Sequence, residues 1–216
     1  MQTVLDNTHL IARGLTNTLQ LSALIIAFGT AIGLFGGLGL LYGPLPVRAF
    51  LRGYVDIVRG TPLLVIFFLI FYGLPPLGIA ISGFFTAVIA FSLFAGGHIS
   101  EIIRGAVASI PRGQTDAAKA LGLTFWPRTT SVLLPQALPI ALPPWVNTAV
   151  EMVKGTSLVV LVSVNDLTFE TVKIAERTGN PMPLYIAAVL IYVVVNLVIS
   201  RLGAWLERRV SYGVVA

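Results

Sequence analysis

Residues Ser109–Pro135 read SIPRGQTDAAKALGLTFWPRTTSVLLP, and they decide the fold because they are too patterned for a connector. Helix–helix connections in a bundle are usually a few residues long. Pro111 and Gly113 mark a turn. From Gln114 to Phe125 a helical period sets in: Ala117, Leu121 and Phe125 fall at i, i+4 and i+8, with Ala118 and Gly122 beside them on one stripe. Asp116, Lys119 and Thr115 lie largely off it. Pro127 is expected to end this helix, because the residue before a proline is pushed out of the α region. The stretch thus predicts a short helix with a small-residue face. A helix lying on a bilayer usually carries more Lys and bulkier apolar residues. A docking helix for a soluble partner fits the residues better.

Working outward, apolar stretches flank this loop on both sides. Leu15–Tyr42 contains no charge at all; Thr61–Leu77, which could start nearer Tyr54, Gly83–Ile103, Pro144–Val164 and Leu184–Leu206 follow. A spanning helix needs about 20 mostly apolar residues, so these stretches predict an all-α integral membrane protein with five transmembrane helices. Composition agrees. Hydrophobic residues make up 56% of the 216 and charged residues only 11%, against about 25% charged in a soluble domain. Mean hydropathy is +0.90. So few charges could not wet a soluble globule, which excludes most cytosolic enzymes and disordered chains. There is no Cys, so disulfides, thiol chemistry and Cys-based zinc sites are excluded. The first stretch is too long for a signal peptide and lacks its cleavage flank.

The connections predict orientation. Arg48, Arg52 and Arg59 follow the first span, Arg104, Arg112, Lys119 and Arg128 follow the third, and Arg201, Arg208 and Arg209 close the fifth. The other side holds only Arg13, Lys173 and Arg177. The positive-inside rule puts the first group in the cytoplasm. The N-terminus is then outside and the C-terminus inside, as an odd number of spans requires, and the helix of residues 109–135 is cytoplasmic, between the third and fourth spans. The net charge of +5 reflects these loops rather than a nucleic-acid partner.

At this point a resemblance becomes specific. Asp116-Ala117-Ala118, then Gly122, then Val132-Leu133-Leu134-Pro135 resembles the EAA loop of the membrane subunits of bacterial ABC importers: Glu-Ala-Ala, three residues, Gly, nine residues, Ile, one residue, Leu-Pro. The spacing matches throughout; Asp116 stands for Glu and Val132 for Ile, each keeping its chemical type. The polar amino-acid branch of that family is resembled by Asp56–Val65 (DIVRGTPLLV, usually with Glu first), Glu101-Ile-Ile-Arg104, Lys154-Gly-Thr156-Ser157-Leu158 and Leu206-Glu-Arg-Arg209. Together these cover about residues 14 to 213.

The resemblance implies that residues 1–216 form a single transmembrane permease domain of a binding-protein-dependent importer in the bacterial inner membrane. Such a permease pairs with a second permease, identical or a sister chain, sits on a cytoplasmic ATPase dimer, and receives an amino acid or related small polar solute from an external solute-binding protein by alternating access. ATP and Mg belong to the ATPase, and this chain lacks a Gly-x-x-x-x-Gly-Lys-[Ser/Thr] phosphate loop. The expected ATPase-coupling residues are Asp116, Ala117, Ala118, Gly122 and Pro135. Gly122→Leu is expected to leave insertion intact and to uncouple transport.

Charged groups inside spans mark candidate substrate paths. Glu151 and Lys154, at i, i+3, either pair structurally or line the path, with Lys154 near a substrate carboxylate. Thr156, Ser157 and Asn147 either add hydrogen bonds or serve helix packing. His98 and Glu101 share the same spacing in the third span. His98 falls where family members commonly have Tyr, and Phe94 where several have Asn. The lost polarity over Phe94–Gly97 suggests either a sister permease that supplies the pocket or a different substrate. Asp166, Glu170, Lys173, Glu176 and Arg177 read as a solvated outer loop. No metal site is expected. A membrane enzyme is disfavoured by nine dispersed acidic residues and two histidines. A stand-alone secondary transporter or channel is the alternative; it would show an inverted repeat and need no docking helix.

Overall fold

The computed structural model of the chain describes residues 2–211, and among them there are helices and turns but no strand. A short α1 (Gln2–Leu5) precedes α2 (Thr8–Tyr42), α3 (Leu45–Gly60), α4 (Leu63–Gly73), α5 (Gly83–Ala108), α6 (Arg112–Ala120), α7 (Phe125–Arg128), α8 (Leu134–Gly155), α9 (Leu167–Thr178) and α10 (Pro181–Ser211). Four rods are long and apolar enough to cross a membrane: α2, α5, the run Phe125–Val162 that contains α8, and α10. α3 and the segment Leu63–Leu77 pass the same test only when taken together, and they meet at a bend of 107°, so the described residues hold four to five candidate spans.

That bent pair corrects the expected second span. α4 has 11 residues, about 16 Å of helix, half of a bilayer core. α3, which precedes it, carries Arg48, Arg52, Asp56 and Arg59. These fall at i, i+4, i+8 and i+11 and are all exposed, while Val55 and Val58, at the flank of that stripe, are buried. The charges read as a loop in the sequence because window hydropathy averages over both faces of an amphipathic helix. The bend sits at Thr61-Pro62, where Pro62 takes the N-cap of α4.

The pairing of α2 with α5 forms the spine of the bundle. Gly29, Gly33 and Gly37, four residues apart, lie against Ala95, Ile99 and Ile103, and a Cβ added at Gly33 would stand 2.3 Å from Ile99 Cγ2. In lipid, helices associate through such close backbone contact rather than through the hydrophobic effect. Phe94, Ala95, Gly96 and Gly97 are all buried here, with Gly96 against Ile32 and Gly97 against Val58. Their low polarity is therefore helix packing inside one chain. It carries no information about a sister permease. Phe67 of α4, Phe91 of α5 and Met152 of α8 close the core beside this spine.

The outer loop expected to be solvated is α9. Asp166 caps its first turn, Oδ1 accepting from the Phe169 amide at 2.8 Å. Leu167, Glu170, Thr171 and Ile174 form a buried face against α2 and α10. Gly14 of α2 touches the backbone at Asp166, where a Cβ would approach the carbonyl oxygen to 2.8 Å. The fourth rod also begins well before Pro144: Pro139, Pro143 and Pro144 lie inside α8. Prolines are tolerated in bundled membrane helices because neighbours satisfy the freed carbonyls.

Candidate coupling and translocation surfaces

The helix in the long loop is α6, and it ends at Ala120, five residues before Phe125. Its stop is Gly122, with φ +75°. The Gly122 amide donates to the Lys119 carbonyl at 2.9 Å and the Leu123 amide to Ala118 at 3.0 Å, the paired bonds of a Schellman end that favours glycine in the left-handed position. Gly122 thus terminates the helix, and nothing else in this chain packs against it. Pro127 does not end α6; it lies in the first turn of α7, where a missing N–H costs nothing. Phe125 belongs to α7 and meets Tyr42 edge-on at 4.9 Å.

The expected small-residue stripe is divided between two directions. Ala118 is buried, at 3% exposure, and fastens α6 to the bundle. Ala117, Leu121 and Gly122 are open. Asp116 is also exposed and sits 3.8 Å from Lys119, a contact of little energy in water. Trp126 is exposed nearby. Pro135 lies in the first turn of α8 beside an apolar groove shared with Leu34, Ile103 and Val107. A second tie joins the helices: Gln136 Nε2 donates to Gln114 Oε1 at 3.3 Å.

In the spans, the expected path residues separate. Asn147, Glu151 and Lys154 are exposed on one stripe of α8, at i, i+4 and i+7. No ion pair joins Glu151 to Lys154 among the described residues, so the structural pairing read from their spacing is absent. Thr156 is fully buried and its hydroxyl turns back to the Val153 carbonyl at 2.8 Å. Ser157 does the same to Lys154 at 2.7 Å. Both bonds lie where α8 passes into the 3₁₀ segment Thr156–Val162.

His98 and Glu101 are likewise engaged within the chain. The His98 ring lies 4.5 Å from Phe94, and its Nδ1 is 3.0 Å from the Phe94 carbonyl. Glu101 accepts from Arg52 at 2.6 Å and from Arg104 at 2.8 Å, clamping α3 to α5. Their spacing looked like a site because a helix brings i, i+3 side chains together. The partner on α3, 49 residues away, left no local signal.

Above α9, the Asp166 carboxyl is fully buried, and burial pushes it up to about 6, against amide bonds from Phe169 and Thr168 and the Tyr192 hydroxyl that favour its charged form. Tyr192 Oη donates to Oδ2 at 3.2 Å. Glu170, one turn on, is 3% exposed and its Oε2 has no partner.

The family described as binding-protein-dependent transport system inner membrane component matches residues 19–212. The probable amino-acid ABC transporter permease protein YckA of Bacillus subtilis is 34% identical over 202 residues, 94% of this chain and 89% of that protein. The L-cystine transport system permease protein TcyB of the same organism is 35% identical over 203 residues, 94% of this chain and 87% of that one. Among solved structures, a chain of an amino acid ABC transporter crystallised with histidines superposes with a TM-score of 0.89 at 33% identity, covering 96% of this chain and 97% of its own. A chain of the inward-facing MetNI methionine ABC transporter shares the fold, with a TM-score of 0.82 at 22% identity over 95% of this chain and 98% of its own.

Proposed function

Because the chain belongs to the family of binding-protein-dependent transport system inner membrane components, we infer that it is the membrane-spanning permease of an amino-acid ABC importer. It is a transport subunit, not an enzyme; a separate ATPase subunit hydrolyses ATP. Its two ends take unlike partners. α6 and α7 lie at the cytoplasmic end, on an ATPase dimer that carries ATP and Mg, with Asp116, Ala117, Leu121 and Trp126 facing it. α9 lies outside, under a solute-binding protein. The N-terminus is outside, the C-terminus inside, and the membrane is the bacterial inner membrane.

The observation that carries the transport reading is the stripe Asn147, Glu151 and Lys154. These groups are exposed and unpaired on a helix whose neighbours are apolar. A charge facing lipid is costly, so the stripe faces a water-filled path closed by a second permease. Lys154 is suited to the carboxylate of an amino acid and Glu151 to its ammonium. Alternating access then exposes the stripe first to the outside and next to the cytoplasm. A stand-alone carrier or channel accounts for neither α6 nor the full-length relatives. The test is ATP-driven uptake of labelled amino acids by the permease reconstituted with its ATPase and binding protein. Lys154→Met is expected to cut uptake about tenfold or more, as loss of a charge-assisted hydrogen bond does, with the ATPase still bound. Unchanged uptake overturns the assignment of the path.

A further inference from the structure

Between α7 and α8 the rod passes through a π turn, Thr129–Leu133, where the Leu134 amide donates to the carbonyl of Thr129. A π turn holds one residue more than α register needs, and single turns of it recur at functional sites. Two features distinguish this one. Thr129 is 1% exposed and its Oγ1 has no hydrogen-bond partner. Thr129 enters the turn in α register, its own amide donating to the Phe125 and Trp126 carbonyls, yet its hydroxyl stays unmatched while that of Thr130 donates to the Trp126 carbonyl at 2.9 Å. Gln136 then joins two elements at once: its Nε2 donates to the Val132 carbonyl inside the turn at 2.8 Å and to Gln114 Oε1 of α6 at 3.3 Å. The same amide that holds the turn therefore senses where α6 stands.

Resting on the permease reading above, we propose that Gln136 is a positioning residue for energy coupling: its amide ties α6 to the π turn at the root of α8, so a displacement of α6 re-registers the turn and tilts α8. Ala137 and Ala141, buried against the bundle, are the pivot about which α8 tilts. The tilt carries Asn147, Glu151 and Lys154 with it. Drawing α6 away breaks the contact with Gln114 and frees the Val132 carbonyl for a backbone partner. The extra residue of the turn takes up the change locally, which a continuous α-helix, with its fixed rise and pitch, could not do.

The test uses the permease with its ATPase and binding protein in proteoliposomes, and a radiolabelled amino-acid mixture that includes L-cystine and L-glutamine. It reads uptake, ATP hydrolysis and the thermal midpoint of the assembled complex. Gln136→Leu is expected to lower uptake about tenfold, the scale of a coupling between sites, while hydrolysis continues and the midpoint holds, so that more ATP is spent per solute. Gln114→Leu lowers uptake similarly, and the double variant is no worse than either single, because one link is removed. Gln136→Glu, which cannot donate to the Val132 carbonyl, behaves like Gln136→Leu. Deleting exposed Ser131, which closes the turn to α register, also uncouples. Wild-type uptake by Gln136→Leu or by the Ser131 deletion overturns the proposal. So does a parallel loss of uptake, hydrolysis and thermal midpoint, the mark of a simple brace. If the unaltered complex itself shows no ATP-driven uptake, the permease reading fails first and this inference with it.

Discussion

Small residues line two regions of this chain and do different work in each. On α2, Gly29, Gly33 and Gly37 let the backbone of α5 approach until no Cβ fits between them. In the α6 loop, Ala117, Ala118 and Gly122 share one stripe on paper, yet only Ala118 is buried; Ala117 is open, and Gly122 has nothing within 4 Å of where a Cβ would be. The glycine at 33 is required by a neighbour. The glycine at 122 is required by its own backbone, at φ +75°. The difference teaches that a stripe of small side chains states that space is short or that a turn is tight, and does not say which.

The comparison can be broken most severely at the spine. Gly33→Leu forces a side chain into Ile99, whose Cγ2 already stands 2.3 Å from the added Cβ. Little folded protein is expected in detergent extracts, and a normal size-exclusion profile would show that α2 and α5 can separate. Next comes the seat of α9 on Gly14. The buried Asp166 carboxyl, at about 6, lies above its unfolded value near 3.9. The native state therefore binds the extra proton between these values. Stability from this group is full below the unfolded value, falls as pH rises through about 6, and the whole difference is at most about 3 kcal/mol. Asp166→Asn keeps a capping side chain and is expected to flatten this dependence, read as hydrogen exchange of α9 between acid and neutral pH.

Smaller effects sharpen the contrast inside the α6 stripe. Ala118→Leu overpacks a closed contact, at a cost of about 1–3 kcal/mol, and should raise exchange across α6. Gly122→Ala meets no neighbour but places a Cβ in left-handed backbone, at a cost of about 1 kcal/mol; fraying confined to the end of α6 is expected. Ala117→Leu should leave the thermal midpoint of the isolated permease unchanged and weaken only its association with the ATPase, measured by co-purification. Equal effects at Ala117 and Ala118 would dissolve the distinction between the open and closed sides of the helix.

Much of the architecture is legible in the sequence. The charge-free run from Leu15 to Tyr42 could only be a long apolar helix, and the period from Gln114 onward marked a short helix, found as α6, inside the long loop. The site was legible less evenly. Glu151 and Lys154 are visible as charges in an apolar run, and the structure keeps them on the open stripe. Glu101 looked equally promising and is committed to Arg52, a partner distant in sequence. The same gap concealed α9, whose five charged residues suggested solvent although Asp166 and Glu170 face inward. Hydropathy scores each residue alone, and it cannot tell a charge that finds water from one that finds a hydrogen bond.

By itself the sequence determined the class of the protein: an all-helical membrane chain of alternating apolar rods and basic connections. Those properties follow from the solvent preference of each residue and from helical periodicity, both local. Only the tertiary structure decided that Gly33 lies against Ile99, that Glu101 is held by Arg52, that Tyr192 reaches Asp166, and that Gln136 meets Gln114. Each of these depends on which groups meet across the bundle. That is settled by packing geometry between distant segments, and no window of neighbouring residues contains it.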